Sequence, residues 1–499
     1  MIMDNPLDLL LNPHGIVFFG ANNAVTTMGT TQLLDIICSG FPKDHLFPVH
    51  PVLDQVLGLK AYKSVNDISA SETIDFAFIV VSAKHVPGIL DDCGKRGVKR
   101  AVVVSAGFRE MGNTDLNDQL LAVTKKHGIR FLGPNCIGFY NRNVSWVKPE
   151  DREKCRINTT WIPIFLKNGG TSIASQSGTF ACHIFITCEK MGMGINKTVS
   201  VGNEASIDLV DCLEYFEQDP DTRVIGLYIE EIKRGRKFME VVSRIVKKKP
   251  VVAMYIGGTE AGARAGKSHT GAMAGNDKVF DAMAKQVGII RAINMEELLD
   301  YCHALDTCPL PHGDRLCILT NAGGPGANMS DAADRVGLKV PEFSQEFQDK
   351  LREKLGIPTA QVRNIVDLTF DLDLEKMYRT IPRTILRSDE IDGMLVYGIY
   401  GINIFEILQD LAPNVKVPLE EFKGIQVPLL EHLAKLPRVM NKPVILVNLG
   451  GRDDTAAAFL QDRGFPVYEM PHRAVKAFWA LNEYRKILSR IEAREKSAG

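Results

Sequence analysis

The chain has 499 residues, too many for one ordinary hydrophobic core, so two to four domains are expected. Its 45% hydrophobic and 24% charged residues are typical of a soluble globular protein, and a formal net charge of −1 without a long basic block argues against nucleic acid as a partner. No apolar run approaches the roughly 18–20 residues of a membrane span, and the acidic amino terminus does not resemble a signal peptide.

The ten cysteines occur singly, without a Cys-x-x-Cys pair. Most of them lie in apolar segments, which predicts reduced, buried thiols in a cytoplasmic protein and argues against a zinc site. No metal site is predicted. Cys136 is the one thiol near an expected ligand loop, and we interpret it as a buried side chain that fills space in the core.

Residues 14–140 alternate short apolar runs with amphipathic stretches such as 86–96 and 114–127. Strands rich in Val, Ile and Phe that alternate with helices predict a parallel sheet covered on both faces. The predicted strands are 16–20, 45–49, 76–81, 100–104 and 130–132.

A glycine-rich turn follows the first predicted strand, in Gly20-Ala-Asn-Asn and at the later Gly29. Doubly wound sheets bind phosphate-bearing ligands at this position, although a tight turn without a ligand has the same pattern. Asn22 replaces the second glycine of the dinucleotide fingerprint, and the second strand ends at Pro51 without the acidic residue that holds a ribose. NAD is therefore disfavoured.

Two further α/β series follow a polar stretch, 142–166, that is predicted to be a linker. The boundary between the two series is placed at the turn-rich segment 306–313. The third series has a glycine-rich turn, Asn321–Gly326, for which domain packing and ligand contact are both open. The predicted strands are 170–174, 196–201, 224–229 and 250–256, then 316–320, 393–397 and 443–447.

His269 lies near the end of a loop of small residues, 257–275, that follows an apolar strand. Small residues leave backbone N–H donors open to a bound group, and Lys267, Ser268 and Thr270 flank the imidazole, so an anion is expected there. A surface histidine in a flexible loop is the alternative.

The same loop contains an imperfect Walker A pattern, 261–268, which would make the chain a nucleotide-hydrolysing P-loop protein. A true P-loop joins its strand directly and opens a helix at the Lys-Ser pair. Here four residues intervene before the pattern, and two glycines follow where the helix should begin. The P-loop is therefore the weaker hypothesis.

Nine motifs in order resemble the NDP-forming acyl-CoA synthetases, in particular the α subunit of the ADP-forming acetyl-CoA synthetase type, which is related to succinyl-CoA synthetase. The resemblance covers nearly the whole chain. The motifs are Gly20-Ala-Asn-Asn, Phe47-Pro-Val-His-Pro51, Ser105-Ala-Gly-Phe-Arg-Glu110, Leu132-Gly-Pro-Asn-Cys-Ile-Gly138, Ser175-Gln-Ser-Gly-Thr179, Val201-Gly-Asn-Glu-Ala205, Ser268-His-Thr-Gly271, Thr320-Asn-Ala-Gly-Gly-Pro-Gly326 and Val366-Asp-Leu-Thr369.

The resemblance implies an α/β fold with a Rossmann-like coenzyme A-binding domain (1–141), the linker (142–166) and two flavodoxin-like CoA-ligase domains (167–308 and 313–490). The first domain is expected to bind coenzyme A as a substrate. The expected contacts are Gly20, Ala21, Asn22, Asn23, Pro48, Val49, His50, Pro51, Val81, Ser82, Ser105, Ala106, Gly107, Phe108 and Asn135.

In this family a histidine is transiently phosphorylated, and the resemblance assigns that role to His269 with Glu230 as its supporting carboxylate. An ordinary strand-end carboxylate is the alternative for Glu230. A helix that opens after Ser175 is expected to direct its amino terminus at the phosphoryl group. The expected phosphate contacts are Ser175, Ser177, Gly178, Thr179, Ser268, Thr270 and Gly271.

The family also implies a separate ATP-grasp β-type subunit that carries ADP or ATP and Mg²⁺, in an α2β2 hetero-oligomer. The chain departs from the family pattern at His50, where Asn is common, and at Ile365, where Pro is common. A coenzyme A-binding regulatory protein without turnover is the alternative function. The acyl group is left open, because a methylene more or less changes binding by only ~1–3 kcal/mol.

Overall fold

The computed structural model describes residues 5–259, 262, 275–356, 361–368, 373–416 and 418–498. The chain forms two compact units. Residues 1–187 and 194–293 make up the first unit, and residues 188–193 and 294–499 make up the second. The α/β class and the parallel sheets expected from the sequence are confirmed.

The first unit begins with a five-stranded parallel sheet in the order β2-β1-β5-β6-β7. Its strands are buried along most of their length, as their continuous apolar sequences require of a sheet covered on both faces. A small hairpin, β3 and β4, follows the second strand. The bounds are β1 (Ile16–Phe19), β2 (Leu46–Val49), β3 (Gln55–Val56), β4 (Leu59–Lys60), β5 (Phe76–Ile79), β6 (Arg100–Val103) and β7 (Arg130–Leu132).

The second sheet has seven strands in the order β14-β13-β12-β10-β11-β8-β9. Strands β10 to β14 pair in parallel, whereas β8 and β9 add an antiparallel edge. The bounds are β8 (Phe139–Asn141), β9 (Ile157–Asn158), β10 (Thr171–Ser175), β11 (Ile195–Ser200), β12 (Val224–Ile229), β13 (Val251–Tyr255) and β14 (Ile290–Ala292).

Residues 142–166, which the sequence predicts as a linker, are packed into this unit. Their strand β9 pairs with β8, and Arg142, Asn143 and Thr160 are buried. The Asn143 amide donates to the side-chain oxygen of Asn196 at 3.1 Å. A polar composition is compatible with burial here, because neighbouring side chains and backbone supply hydrogen-bond partners.

Among the described residues of the first unit, eight α-helices lie before or between these strands. Asp208 caps α6 by accepting from Val210 N and Asp211 N, and Asp211 completes a capping box. The bounds are α1 (Asp8–Leu11), α2 (Met28–Cys38), α3 (Val86–Lys95), α4 (Thr114–His127), α5 (Gly178–Lys190), α6 (Leu209–Gln218), α7 (Gly235–Ile245) and α8 (Asp277–Val287).

The second unit contains a six-stranded sheet in the order β16-β17-β15-β18-β19-β20, parallel except for the β16–β17 pair. Its strands are β15 (Leu316–Thr320), β16 (Gln361–Val362), β17 (Val366–Asp367), β18 (Gly393–Tyr397), β19 (Val444–Val447) and β20 (Val467–Tyr468). Its helices are α9 (Met295–Thr307), α10 (Gly323–Arg335), α11 (Gln345–Leu355), α12 (Ile381–Leu386), α13 (Asn403–Leu411), α14 (Leu419–Met440), α15 (Thr455–Asp462) and α16 (Pro471–Ala498).

Helix α9, which the sequence places at the end of the second domain, belongs to this second unit. The buried Asp300 on α9 pairs with Arg473 on α16, with an oxygen–nitrogen distance of 2.7 Å. The Tyr468 hydroxyl donates to the main-chain oxygen of Asp300 at 2.9 Å. The three domain boundaries proposed from the sequence stay a prediction.

A buried ion pair stabilises the second sheet. Lys197 on β11 and Asp219 after α6 are 2.8 Å apart, with side chains 1% and 6% exposed. The same Asp219 oxygen also accepts from the Asn196 amide and the Thr222 hydroxyl, so three neighbouring donors surround the buried charge. Burial lowers the pKa of Lys197, and the Asp219 charge opposes that effect.

We expect Lys197→Met to destabilise this unit by about 3–5 kcal/mol, because the substitution leaves the buried Asp219 charge without its cation. Urea unfolding followed by circular dichroism measures the change. The exposed pair Lys154–Asp151 is the matched control, since Lys154→Met should change stability by less than about 1 kcal/mol. Equal effects of the two substitutions would contradict a structural role for the buried pair.

Candidate active site

A cavity of about 570 Å³ lies at the carboxyl ends of β1, β2 and β5. Strand β1 is paired with β2 on one side and β5 on the other, so the chain connections diverge at this point of the sheet. Such a switch point is where doubly wound sheets bind their ligands. Seven of the residues predicted to contact coenzyme A form part of its wall: Gly20, Ala21, Asn22, Val49, His50, Pro51 and Val81.

Two glycines bring the backbone close together beside this cavity. Gly20 has φ of +101°, and a Cβ there would lie 2.0 Å from the Val80 carbonyl oxygen. A Cβ on Gly29 in α2 would lie 2.4 Å from the Gly20 carbonyl oxygen. Both positions therefore require glycine. Asn22 shapes the turn between them, since its side-chain oxygen accepts from Ala24 N at 2.6 Å.

His50 caps the turn after β2. Its Nδ1 accepts from Val52 N at 3.1 Å and from Leu53 N at 2.9 Å, so in the neutral ring the proton lies on Nε2. Lys63 holds the same turn by donating to the Val52 carbonyl at 2.6 Å. Its ammonium also lies 2.8 Å from Asp54.

Eight residues of the cavity wall were not predicted from the sequence. They come from positions that carry no family motif, and their approach depends on how the sheet brings separate segments together. The eight are Phe19, Lys63, Ser64, Val65, His85, Gly88, Ile89 and Asp92.

The other residues predicted to contact coenzyme A lie outside this wall. The Ser105 hydroxyl donates to the Val81 carbonyl at 2.5 Å, so the Ser105–Phe108 loop adjoins the cavity. The Glu110 carboxylate shapes that loop by accepting from Gly107 N and Phe108 N. Those outside are Asn23, Pro48, Ser82, Ser105, Ala106, Gly107, Phe108 and Asn135.

Glu110 also connects the first sheet to the second. Its second carboxylate oxygen accepts from the Asn203 amide at 2.6 Å, and the Asn203 oxygen accepts from the Asn135 amide at 3.3 Å. The loop beside the cavity is thereby joined to the loop after β11. Glu110 belongs to the motif Ser105–Glu110, but no role was predicted for it.

A second group of predicted residues lies at the carboxyl end of β10. The strand ends at Ser175, and α5 begins at Gly178. The Ser177 hydroxyl accepts from Phe180 N at 3.3 Å, which is a helix cap, and the Ser175 hydroxyl donates to the Ser177 carbonyl at 2.7 Å. Thr179 is exposed, and Ser177 and Gly178 are half-buried. The start of α5 is accessible to an anion.

Glu230 follows β12, the strand next to β10, and lies beside that turn. The connection is made by Gln176, whose side-chain oxygen accepts from Glu230 N at 2.5 Å and from Glu231 N at 3.0 Å. The Glu230 charge acts together with burial to raise the pKa of Tyr228. The structure therefore brings Glu230 and the Ser175–Thr179 turn together.

His269, Lys267, Ser268, Thr270 and Gly271 lie outside the described residues, as does nearly all of the Walker-like pattern 261–268. The roles predicted for them stay predictions. Strand β13, which leads into this loop, pairs with β12, and Ile256 N donates to the Ile229 carbonyl at 2.8 Å. The described start of the histidine loop thus adjoins the residue that precedes Glu230.

A buried carboxyl lies behind this turn. Glu204 is 7% exposed, and burial raises its pKa to about 7 against the opposing charge of Lys233. One carboxylate oxygen accepts from Leu209 N at 2.9 Å, and the nearby Gln176 side chain opposes the rise in the Glu204 pKa. Lys233 donates to the Glu204 carbonyl at 3.0 Å. Glu204 belongs to the motif Val201–Ala205, but no role was predicted for it.

Two families of domains match the chain. The CoA binding domain family matches residues 30–142, and the succinyl-CoA ligase-like flavodoxin domain family matches residues 168–305. The α subunit of ADP-forming acetate–CoA ligase II from Pyrococcus furiosus is 34% identical over 96% of this chain and 98% of its own length. The chain belongs to the ADP-forming acetyl-CoA synthetase α-subunit family. The resemblance stated from the motifs is confirmed.

Two other proteins extend the comparison. The solved "dinucleotide forming" acetyl-coenzyme A synthetase 1 of Ca. Korarchaeum cryptofilum, in complex with phosphate and ADP, has a TM-score of 0.81 and is 30% identical. That similarity covers 98% of this chain and 99% of the solved chain. The ADP-forming 4-hydroxybutyrate–CoA ligase of Nitrosopumilus maritimus is 34% identical over 79% of this chain and 54% of its own length.

Several smaller expectations also have outcomes. All ten cysteines are free thiols. Cys136 is buried, and burial raises its pKa to about 12, which agrees with the interpretation of Cys136 as a side chain that fills space in the core. The Asn321 amide donates to the Gly398 carbonyl at 3.3 Å within the second unit, and α10 begins two residues later. Among the described residues, no helix is both long and apolar enough to span a membrane.

The pKa of Glu204 predicts a pH-dependent stability. Its folded-state value is about 7 and its ordinary value is 4.5, so between these pH values the folded chain retains a proton that the unfolded chain has lost. Stability from this group is therefore present below pH 4.5 and falls as the pH rises to 7. Relative to Glu204→Gln, the wild type should lose about 3 kcal/mol of unfolding free energy over this pH range.

Melting temperature as a function of pH measures this difference. Glu346→Gln, on the exposed face of α11, is the control and should follow the wild-type curve. Parallel curves for wild type and Glu204→Gln would show that the Glu204 carboxyl titrates near its ordinary pKa.

Proposed function

We propose that this chain is the α-type subunit of an ADP-forming acyl-CoA synthetase that works through a phosphohistidine on His269. The overall reaction interconverts acyl-CoA, ADP and phosphate with a carboxylic acid, CoA and ATP. Pairing of β10, β12 and β13 carries the proposal, because it places the Ser175–Thr179 turn, Glu230 and the start of the histidine loop at one edge of a sheet.

The chemistry divides into three steps. Phosphate attacks the thioester carbonyl of acyl-CoA, and CoA leaves as the acyl phosphate forms. The His269 imidazole then attacks the phosphorus, and the P–O bond to the acyl group breaks to release the carboxylate. The phosphoryl group finally passes from the histidine nitrogen to ADP.

The described residues support the middle step. An imidazole that accepts a phosphoryl group at one nitrogen needs a partner at the other, to select the tautomer and to stabilise the positive ring, and Glu230 suits that role. The growing negative charge on the phosphoryl oxygens needs donors that are already in place. The first turn of α5, with Ser177 and Thr179, supplies backbone N–H groups there.

The first cavity supports coenzyme A as the thiol substrate. Gly20 allows backbone approach to phosphate, and Lys63 with His50 and His85 brings basic side chains to the wall. Asp92 lies elsewhere in the same wall. The end of β2 carries no acid of the kind that NAD would require, since His50 and Pro51 follow the strand directly.

A second polypeptide is part of the proposal. The Pyrococcus furiosus relative is named as subunit alpha, and the Nitrosopumilus maritimus relative is a longer chain of which this one covers 54%. We infer that an ATP-grasp β-type subunit supplies the ADP or ATP site and its Mg²⁺, in an α2β2 assembly. The names of the relatives include acetate and 4-hydroxybutyrate, so membership of the family leaves the acyl group undetermined.

We expect the full chain to bind coenzyme A and not NAD in titration calorimetry. Lys63→Met should weaken coenzyme A binding about tenfold, because a charge-assisted hydrogen bond is worth roughly 1.5–3 kcal/mol. Lys99→Met is the matched control, since Lys99 donates to the His127 carbonyl and lies outside the cavity wall. Tighter binding of NAD than of coenzyme A would overturn the assignment of the cavity.

Phosphorylation tests the central claim. With ATP, Mg²⁺ and the ATP-grasp partner, the wild-type chain should gain one acid-labile, base-stable phosphoryl group. His269→Asn should abolish labelling and turnover, because the amide lacks a nucleophilic nitrogen. Glu230→Gln should reduce labelling by roughly 100-fold or more while coenzyme A binding is retained.

Two variants separate the alternatives. Lys267→Ala should only weaken phosphoryl labelling, whereas the lysine of a true P-loop would be indispensable. If Lys267→Ala lost all turnover while His269→Asn kept it, the loop would instead be a nucleotide-binding loop. Glu231→Gln is the matched control for Glu230. A loss confined to Glu231→Gln would assign the supporting role to the neighbouring carboxylate.

A further inference from the structure

Gln176 is a buried glutamine between the end of β10 and the start of α5. Its side chain makes three hydrogen bonds to the backbone of two consecutive residues that follow another strand. The side-chain oxygen accepts from Glu230 N at 2.5 Å and Glu231 N at 3.0 Å, and the side-chain nitrogen donates to the Glu231 carbonyl at 2.7 Å. The residue is 7% exposed, so water competes little for these bonds.

The orientation of the Gln176 amide is determined by its neighbours. Two N–H donors face one end of the amide, which must therefore be the oxygen. The other end faces the Glu231 carbonyl, which can only accept a hydrogen bond, so it must be the NH₂ group. Leu209 N holds the nearby Glu204 carboxylate at 2.9 Å.

We propose that Gln176 is the positioning residue of the phosphoryl-transfer site, because it fixes the Glu230 backbone against the turn at the start of α5. The inference rests on the proposed function and deepens it. Glu230 and the first turn of α5 follow different strands, yet one must support the imidazole of the phosphohistidine while the other binds its phosphoryl group. Without a connection between them, small independent movements of the two loops would separate the histidine-supporting carboxylate from the phosphate-binding N–H groups.

Glu204 is the second residue that affects the orientation of the Gln176 amide. The Gln176 side chain is near enough to lower the Glu204 pKa, and rotation of the amide by half a turn would place an oxygen, instead of the NH₂ group, on the side of this carboxyl. Lys233 fixes the Glu204 backbone by donating to its carbonyl and to that of Asn203. The Gln176 amide is therefore hydrogen-bonded to the Glu230–Glu231 backbone, with the Glu204 carboxyl nearby.

The test compares Gln176→Met, which keeps the side-chain length but removes all three hydrogen bonds, with the wild type in the complex with the ATP-grasp partner. The rate of histidine phosphorylation from ATP should fall about 100-fold, the effect expected of a misplacement near 1 Å. Affinity for coenzyme A should stay within twofold of wild type, because Gln176 lies outside the cavity wall. A purely structural role would affect stability without this split between phosphorylation and binding.

Gln348→Met is the matched control for loss of stability. Gln348 is a buried glutamine of α11 in the second unit, and its amide donates to the Phe343 carbonyl at 2.8 Å. This variant should also melt at a lower temperature than wild type but phosphorylate at the wild-type rate. An equal loss of phosphorylation in both variants would mean that general destabilisation is the cause, and would overturn the proposal.

A reciprocal exchange tests the hydrogen-bond geometry. Gln176→Glu keeps the acceptor for the two N–H groups, but it removes the NH₂ donor and faces the Glu204 carboxylate with a second carboxylate. Combined with Glu204→Gln, it restores one donor and one acceptor across the pair. We expect the double variant to phosphorylate at least tenfold faster than Gln176→Glu, whereas no recovery would overturn the proposed orientation.

The outcomes separate this proposal from the function on which it rests. If the wild-type complex gains no phosphohistidine, the proposed function fails and the positioning role falls with it. If the wild type is phosphorylated and Gln176→Met is phosphorylated equally fast, only the positioning role is overturned.

Discussion

Parallel pairing of β10, β12 and β13 is the constraint on which the rest of the candidate site depends. In a parallel sheet the carboxyl ends of neighbouring strands meet at one edge, so three segments distant in the chain begin side by side. The turn after β10, the Glu230–Glu231 pair and the described start of the histidine loop are these three segments. Polar residues at strand ends become a site because the sheet places them together.

The backbone at this edge is held by side chains, since loops after strands have no ladder partners of their own. Gln176 joins the turn to the Glu230–Glu231 pair, and Glu110 with Asn203 joins the Ser105–Phe108 loop to the loop after β11. Both connections use a side-chain carbonyl or carboxylate to accept from backbone or amide N–H groups. The cavity beside β1 and the edge beside β10 therefore belong to one hydrogen-bonded unit. Buried polar groups can occupy such positions because their hydrogen bonds are satisfied.

The regular part of the fold could be predicted from the sequence. The strands expected at 130–132, 224–229, 316–320 and 393–397 have these bounds in the structure, because a buried parallel strand is a short, continuous apolar run between turn residues. The antiparallel edge formed by β8 and β9 was missed. Strand β9 has two residues, Ile157 and Asn158, inside a polar segment, and such a segment has no periodicity to recognise.

The site was only partly predictable for a related reason. Gly20 and Gly29 could be recognised because close backbone approach leaves a glycine in the sequence. Gln176 was overlooked between two serines of a motif, since a glutamine is common on surfaces and its three hydrogen bonds exist only once β10 and β12 are paired. Lys63 was missed because the chain must return past the hairpin before this residue reaches the cavity wall.

The departure from the family pattern at His50 is compatible with the local backbone. Where the family commonly has asparagine, His50 accepts from the N–H groups two and three residues ahead, which is the bond pattern of an asparagine side-chain turn. The imidazole Nδ1 thus takes the place of the amide oxygen, and Nε2–H extends further from the turn than an asparagine side chain would. Histidine at position 50 therefore leaves the turn after β2 intact, and any effect on ligand contact must come from the additional reach of the imidazole.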